Sequence, residues 1–235
     1  MKTSVSDFAL PPRHQWLLEN KIAFRFVFFF ALAGEIFSLI YYINWMTFLC
    51  LIPIGGISFG YTVPFIKTKR GWIRLRDIRG LKIFLITLVL GLVTVVLPVV
   101  AYANLSALLR PEIIFIFIRR MLFIFAITIP FDIRDVDYDR QNNIETLPVL
   151  FGIPRAKKMA IYSLAAFAGC VILQLFILPK MSSLYAVALI ISIVPTSISI
   201  LKTKKSSSDY FFSFAVEGMM IVQCFLIIAA YIIER

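Results

Sequence analysis

The sequence has little charge. Only 16% of its 235 residues are charged, against about 25% in an ordinary globular domain, whereas 60% are hydrophobic. A water-soluble chain of this length cannot hide so much apolar surface, which argues against a soluble enzyme and against a nucleic-acid-binding protein. The net charge of +11 is instead typical of basic loops between membrane spans. The composition therefore predicts an integral membrane protein.

Cysteine and histidine are scarce as well. Cys50, Cys170 and Cys224 lie in apolar runs, without paired spacing and without a neighbouring histidine. We interpret them as small packing residues, so neither a disulfide framework nor a zinc site is expected. His14 is the single histidine, which excludes a catalytic triad built on histidine.

Charged residues mark the ends of the predicted spans. A bilayer core about 30 Å thick needs about 20 helical residues per crossing. The charge-free stretch 36–66 is too long for one crossing, so we place a turn at the interfacial residues 41–45. Strand alternation, which a transmembrane barrel needs, is absent. The sequence predicts an all-α polytopic transmembrane helix bundle, one integral membrane domain over residues 1–235, with a tail at 1–22 and about seven helices at about 23–42, 45–66, 80–102, 111–131, 157–178, 182–201 and 210–233.

The distribution of Lys and Arg predicts the orientation. With these spans, 19 of the 24 basic residues fall on one side, in the N-terminal segment through Arg25, the loops 67–82 and 132–158, and the turn at 202–205. Three fall on the other side, namely Arg110, Lys180 and Arg235. Basic loops stay in the cytoplasm, so we expect a cytoplasmic N-terminus, a cytoplasmic 132–158 loop and an outward C-terminus.

Acidic residues concentrate directly after the fourth span. Five of the 13 lie within residues 132–145. If the helix continues, Asp132, Asp135 and Asp139 share one face and Asp137 points away. Carboxylates at this density suit Mg²⁺, which joins them to phosphate oxygens. A solvated acidic loop is the plain alternative, and a Ca²⁺ loop of the EF-hand type lacks its central glycine and alternating ligands.

The acidic segment resembles a known motif. Asp132-Ile-Arg-Asp135-Val-Asp-Tyr-Asp139-Arg140, followed by Thr146-Leu-Pro-Val-Leu-Phe-Gly152, is similar to the second aspartate-rich motif of the UbiA-type intramembrane prenyltransferases. The loop that opens with Tyr61 and reaches Lys67 is similar to the Tyr/Lys loop of the same family. The resemblance implies a membrane enzyme that transfers a prenyl group from a polyprenyl diphosphate to a lipophilic, aromatic or quinone-type acceptor, with Mg²⁺ as cofactor.

The resemblance also implies roles for the matching positions. Departure of diphosphate leaves an allylic carbocation, which the acceptor captures, and the charge on the leaving group needs cations around it. The implied partners are polyprenyl diphosphate, the acceptor and membrane lipid, with no nucleic acid. The implied site consists of the catalytic carboxylates Asp132, Asp135 and Asp139, of which Asp135 and Asp139 bind the metal, and of the diphosphate-binding residues Lys67, Arg140 and Tyr61.

The chain departs from the family pattern in its first half. A first motif of the form Asn-Asp-x-x-Asp-x-x-x-Asp is absent, and we expect the chain to begin in the family's loop between helices two and three. The segment 13–16 with Lys21 stands near that place, as diphosphate contacts or as an interfacial anchor. The alternative function is therefore a non-catalytic relative that binds lipid or diphosphate. A small-solute transporter is disfavoured because no internal repeat is present.

Four charged residues lie inside the predicted spans. They are Glu35, Arg119, Arg120 and Glu217. Each costs about 2.5–3.5 kcal/mol at the centre of a span, so such groups face the bundle interior or pair. We expect an Arg–Glu pair between the fourth helix and the first or seventh. Such a pair either fixes the helix register or forms a polar acceptor or proton site.

Overall fold

The computed structural model describes residues 18–68, 71–178 and 181–235. The chain divides into two compact units, Met1–Trp45 and Met46–Arg235. In the first unit the described residues form helix α1, Lys21–Tyr42. The segment 13–16, considered above for diphosphate contacts, lies outside the described residues.

Long apolar helices make up most of the second unit. Six helices in the described residues are long and apolar enough to cross a membrane, namely α2, α3, α4, α7, α8 and α9 below. They coincide with six of the seven expected spans, and the crossing of α1 stays a prediction. The elements after α1 are α2 (Trp45–Thr62), β1 (Ile66–Thr68), β2 (Gly71–Ile73), α3 (Leu81–Tyr102), α4 (Pro111–Arg134), α5 (Val136–Gln141), α6 (Leu147–Phe151), α7 (Ile153–Ile177), α8 (Ser183–Lys202) and α9 (Phe211–Glu234).

The connection after α2 differs from the expectation. The helix ends at Thr62, not at residue 66, because Pro64 cannot continue it. The chain then forms a short antiparallel hairpin in which Lys67 pairs with Trp72. No strand was expected here, since three residues per strand are too few to show alternation. The hairpin packs closely on α2, where a Cβ atom on Gly60 would lie 2.6 Å from the Phe65 ring.

One further boundary differs from the prediction. Helix α7 begins at Ile153, four residues before the predicted start, directly after Gly152 at φ 82°. Pro154 in its first turn suits a helix start. Helices α3 and α9 also contain wider, π-helical stretches, Leu92–Val96 and Phe211–Glu217.

Helix α4 lies at the centre of the second unit, between α3, α7 and α8. Its ring of Phe123 is fully buried and lies 5.8 Å from the ring of Phe167 on α7. The Ser163 hydroxyl on α7 donates to the Leu122 carbonyl at 2.8 Å. This packing fixes the position of both ends of α4, including the acidic segment that follows it.

The polar groups inside the spans form few contacts between helices. Gln223 on α9 donates to the Ser192 hydroxyl on α8 at 3.1 Å. Arg120 donates to the Thr94 hydroxyl on α3 at 3.2 Å. Within the described part of Met46–Arg235, neither Arg119 nor Arg120 forms an ion pair. The expected Arg–Glu pair is therefore absent there, and Arg119 interacts with the ring of Tyr185 instead.

Candidate active site

A lysine joins two buried carboxylates where α3, α4 and α5 meet. The Lys82 ammonium lies 2.8 Å from Oδ1 of Asp132 and 3.2 Å from Oδ2 of Asp139. The side chain of Lys82 is 16% exposed and those of both aspartates are 2% exposed. We call these three residues the Lys82 cluster, and the end of the bundle that carries them the Asp end.

The local fold explains how the cluster forms. Helix α4 ends at Arg134, and Asp135 takes a non-helical conformation at φ −90° and ψ 6°. Helix α5 starts directly after this residue, and Asp139 on it is buried and meets Lys82. The loop after α5 is tied to the segment before α3, because the Gly80 N–H donates to the Glu145 carbonyl at 2.8 Å.

The break at Asp135 separates the predicted carboxylates. A continuous helix would have placed Asp132, Asp135 and Asp139 on one face, but only the first and last meet at Lys82. Asp135 accepts two hydrogen bonds from the guanidinium of Arg134, at 2.9 and 3.3 Å. Asp137 points away, as expected, and pairs with Lys205 at 2.7 Å.

The Lys82 cluster can accommodate a further positive charge, because one lysine pairs with two aspartates. Burial raises the pKa of the Asp139 carboxyl, and the Lys82 ammonium opposes that rise. Oδ2 of Asp132 is buried and has no hydrogen-bond partner. A buried, unpartnered carboxylate oxygen is costly and favours a further cation or donor.

These groups fit Mg²⁺ in one specific way. In the described ranges no three His, Cys, Asp or Glu side chains form a group that holds a metal ion by themselves. Mg²⁺, however, binds through one or two carboxylates together with substrate phosphates. The free oxygen of Asp132 and the neighbouring Asp139 match that need in number and in chemistry.

Arg134 forms a second charged feature at the Asp end. Its guanidinium lies over the rings of Phe131 and Phe212, 5.2 and 5.1 Å from their centres. It also pairs with Asp135 and, at 3.8 Å, with Asp209 before α9. A planar cation held between two rings and two carboxylates has a fixed position.

The predicted diphosphate-binding residues lie outside the Lys82 cluster. Lys67 in β1 and Arg140 in α5 are exposed, and neither forms an ion pair in the part of the chain that the structure describes. The ring of Tyr61 at the end of α2 lies under the guanidinium of Arg76, at 5.6 Å. Arg74, directly after β2, interacts electrostatically with Tyr61 and with Tyr138 of α5.

Sequence reasoning missed Lys82 and Arg134 as site residues. Lys82 was counted only as one of the basic residues of a loop. Its position held a signal, because a lysine in the first turn of a helix is disfavoured by the helix dipole and needs acidic partners. Arg134 lay inside the recognised motif but carried no signal for its contact with Phe212, which is distant in sequence.

Comparison with known proteins agrees with this geometry. The model of the UbiA prenyltransferase family matches residues 17–220, which include α1, the hairpin and the Lys82 cluster. Neither a curated protein nor a solved structure matches the chain. The match covers far more than half of the sequence and agrees with the all-α polytopic bundle. The chain therefore belongs to the UbiA prenyltransferase family.

Proposed function

We propose that the Lys82 cluster binds the diphosphate of a polyprenyl diphosphate, and that the chain transfers the prenyl group to a lipophilic acceptor. Family membership supports a membrane prenyltransferase-like function in general. The observation that carries the proposal further is the unpartnered Oδ2 of buried Asp132 beside Asp139 and Lys82. The aromatic or quinone-type acceptor rests on the family resemblance.

The charges around the cluster suit a diphosphate. The Lys82 ammonium would donate to phosphate oxygens, while Asp132 and Asp139 would hold Mg²⁺ together with those oxygens. Asp135 remains a proposed third carboxylate and metal ligand, which requires release from Arg134. Lys67, Arg140 and Tyr61 serve as outer contacts that attract and position the diphosphate.

The chemistry then follows from charge and from the exclusion of water. Ionisation places negative charge on the leaving diphosphate, and Lys82 stabilises it. Bound Mg²⁺ would supply Lewis-acid stabilisation of the same charge. The prenyl chain lies among apolar helices, where little water reaches the allylic cation. By the distribution of basic residues, we place the Asp end on the cytoplasmic side.

The direct test measures binding of a long-chain polyprenyl diphosphate to the purified chain in nanodiscs, with Mg²⁺ and with EDTA. We expect binding that needs Mg²⁺ and that Asp139→Asn and Asp132→Asn each reduce by about tenfold or more, as for the loss of a charge-assisted contact. Asp137→Asn is the matched control, because Asp137 is exposed and pairs with Lys205. An equal loss in all three variants would indicate a diffuse acidic surface and overturn the proposal.

A second candidate function is binding without transfer. Two observations favour it: Lys82 already pairs with both buried carboxylates, and the sequence contains one aspartate-rich motif where the family has two. Displacement of a reacting group by about 1 Å can alone cost about 10²-fold in rate. We therefore expect this 235-residue chain, purified alone, to bind the diphosphate but show little or no transfer to an acceptor. Robust turnover would exclude the second candidate.

A further inference from the structure

A separate cavity opens at the end of the bundle opposite the Asp end. Its volume is about 290 Å³, and α4, α7, α8 and α9 all contribute to its lining. The residues used below are Glu112, Arg119, Gln174, Tyr185 and Glu234. Small-molecule pockets range from about 300 to 1,000 Å³, so the cavity accommodates a small polar group and not a polyprenyl chain.

The deepest polar group in this cavity is an arginine without an anionic partner. Arg119 is 3% exposed, and its Nε and Nη1 atoms are buried without hydrogen-bond partners. It forms no ion pair within the described part of Met46–Arg235. Its guanidinium lies over the ring of Tyr185 in a cation–π contact, 5.5 Å from the ring centre. Burial of an unpaired guanidinium in a membrane span is costly. The cost therefore favours a ligand that accepts hydrogen bonds from Arg119.

Gln174 on α7 provides a second, independent observation. Its side chain lines the same cavity and is 5% exposed, and its Oε1 atom is buried without a donor. The cavity therefore presents unused N–H donors from Arg119 and an unused acceptor from Gln174. A ligand that satisfies both must carry an oxyanion and also an N–H or O–H group.

Acidic residues at the rim define the ligand further. Glu112 is half-buried and Glu234 is exposed, whereas Arg119 is buried. Glu112 and Arg119 are seven residues apart on α4, about 10 Å along the helix axis. Two carboxylates at the rim repel a simple anion but attract an ammonium group. The cavity is thus positive inside and negative at its rim, which complements a zwitterion.

We propose that this cavity binds a zwitterion that joins a phosphate to a primary ammonium group, with its phosphate on Arg119 and its ammonium toward Glu112 and Glu234. The two nitrogen atoms of Arg119 donate to phosphate oxygens, and Gln174 accepts from the ligand's ammonium or hydroxyl group. The same chemistry is available from a phosphatidylethanolamine head group and from a free zwitterion. The site is distinct from the Lys82 cluster and does not rest on the proposed prenyl transfer.

The experiment uses the full chain in nanodiscs of phosphatidylcholine with added phosphatidylethanolamine or phosphatidylglycerol, and in detergent with free O-phosphoethanolamine. Lipid retention is measured by native mass spectrometry and the midpoint of thermal unfolding by fluorescence. We expect phosphatidylethanolamine to be retained and to raise the midpoint, and phosphatidylglycerol to do neither. Stabilisation by free O-phosphoethanolamine would identify a soluble zwitterion as sufficient, and retention of the lipid alone would identify the lipid head group.

Variants connect the effect to the cavity. Arg119→Gln should weaken phosphatidylethanolamine retention by about ten- to a hundredfold, as for loss of a charge-assisted contact. Arg120→Gln is the matched control, since Arg120 contacts Thr94 and does not line the cavity. Glu112→Gln should lower the preference for phosphatidylethanolamine over phosphatidylglycerol. Equal retention of both lipids by the unmodified chain, or retention unchanged in Arg119→Gln, would overturn the proposal.

The helical circular dichroism signal and the elution volume of the purified chain serve as the control for folding. Arg119→Gln removes a buried charge that has no ionic partner within the described part of Met46–Arg235, so we expect both to match those of the unmodified chain. A variant that fails this control is to be replaced by Arg119→Lys, which keeps the charge but not the paired donors. If Arg119→Lys retains the lipid fully while Arg120→Gln loses it, the assignment to Arg119 is wrong.

Discussion

Lys82 and Asp132 are 50 residues apart in sequence, yet their charged atoms lie 2.8 Å apart at the Asp end. The pair joins the first turn of α3 to the last turns of α4, and Asp139 completes it from α5. Because both aspartates are almost fully buried, Lys82 is the cation that makes their burial tolerable. The ion pair is therefore a structural element of the Asp end as well as part of the proposed diphosphate site.

Removal of the lysine should destabilise the protein. Lys82→Met leaves two buried carboxylates without their cation, a loss of about 3–5 kcal/mol in the free energy of unfolding. Denaturant unfolding in a mild detergent measures it. Arg79→Met is the matched control on the same segment: its pair with Glu145 is exposed, and we expect a loss of about 1 kcal/mol or less. Equal losses in the two variants would contradict the structural role of Lys82.

Asp77 holds the turn between the hairpin and α3. Its carboxylate accepts from the Arg74 backbone N–H at 2.9 Å and from the Arg74 guanidinium at 3.0 and 3.1 Å. Burial opposes ionisation of Asp77, but these hydrogen bonds prevail and hold its pKa below the ordinary value of 3.8. A lowered carboxyl pKa contributes stability above the ordinary value, and the contribution disappears as the pH falls through the lowered pKa.

The expected result is therefore local and pH-dependent. Asp77→Asn should loosen the turn at neutral pH by about 1 kcal/mol, seen as faster tryptic cleavage after Arg74 and Arg76. Hydrogen exchange of this segment, measured against pH, should converge for variant and unmodified chain in strong acid, because both then lack the charge. A difference that persists unchanged below the lowered pKa would contradict the role of the carboxylate.

Gly60 and Gly56 on α2 provide a matched pair of substitutions. A Cβ atom on Gly60 would lie 2.6 Å from the Phe65 ring and 2.8 Å from Leu75, whereas one on Gly56 would meet nothing within 4 Å. Gly60→Ala must displace the side chains of Phe65 and Leu75, at a cost of about 1–3 kcal/mol. Gly56→Ala should be neutral or slightly stabilising, since alanine favours helix. Thermal unfolding of both variants distinguishes close packing from a general intolerance of alanine.

The sequence was sufficient to predict the helices but not to predict the contacts at their ends. Apolar runs bounded by charge predicted six spans that the structure contains, because length and hydropathy decide a crossing. Asp132 and Asp139 do meet at Lys82, but Asp135, expected on the same face, takes a non-helical conformation and pairs with Arg134 instead. The position of Lys82 in the first turn of α3 indicates a need for acidic partners, but which aspartates it meets depends on the packing of α3 against α4, and no local pattern encodes that packing.

Orientation in the membrane is the last prediction. The excess of Lys and Arg places Asn142, after α5, in the cytoplasm, and Ala103, after α3, outside. Both positions are exposed at opposite ends of the bundle, so cysteines there are accessible to a membrane-impermeant maleimide.

The native Cys50, Cys170 and Cys224 are first replaced by alanine. In sealed right-side-out vesicles we expect Ala103→Cys to react at once and Asn142→Cys to react only after permeabilisation. The reverse pattern would place the Lys82 cluster outside and contradict the predicted orientation, and labelling of both positions from one side would refute the span assignment.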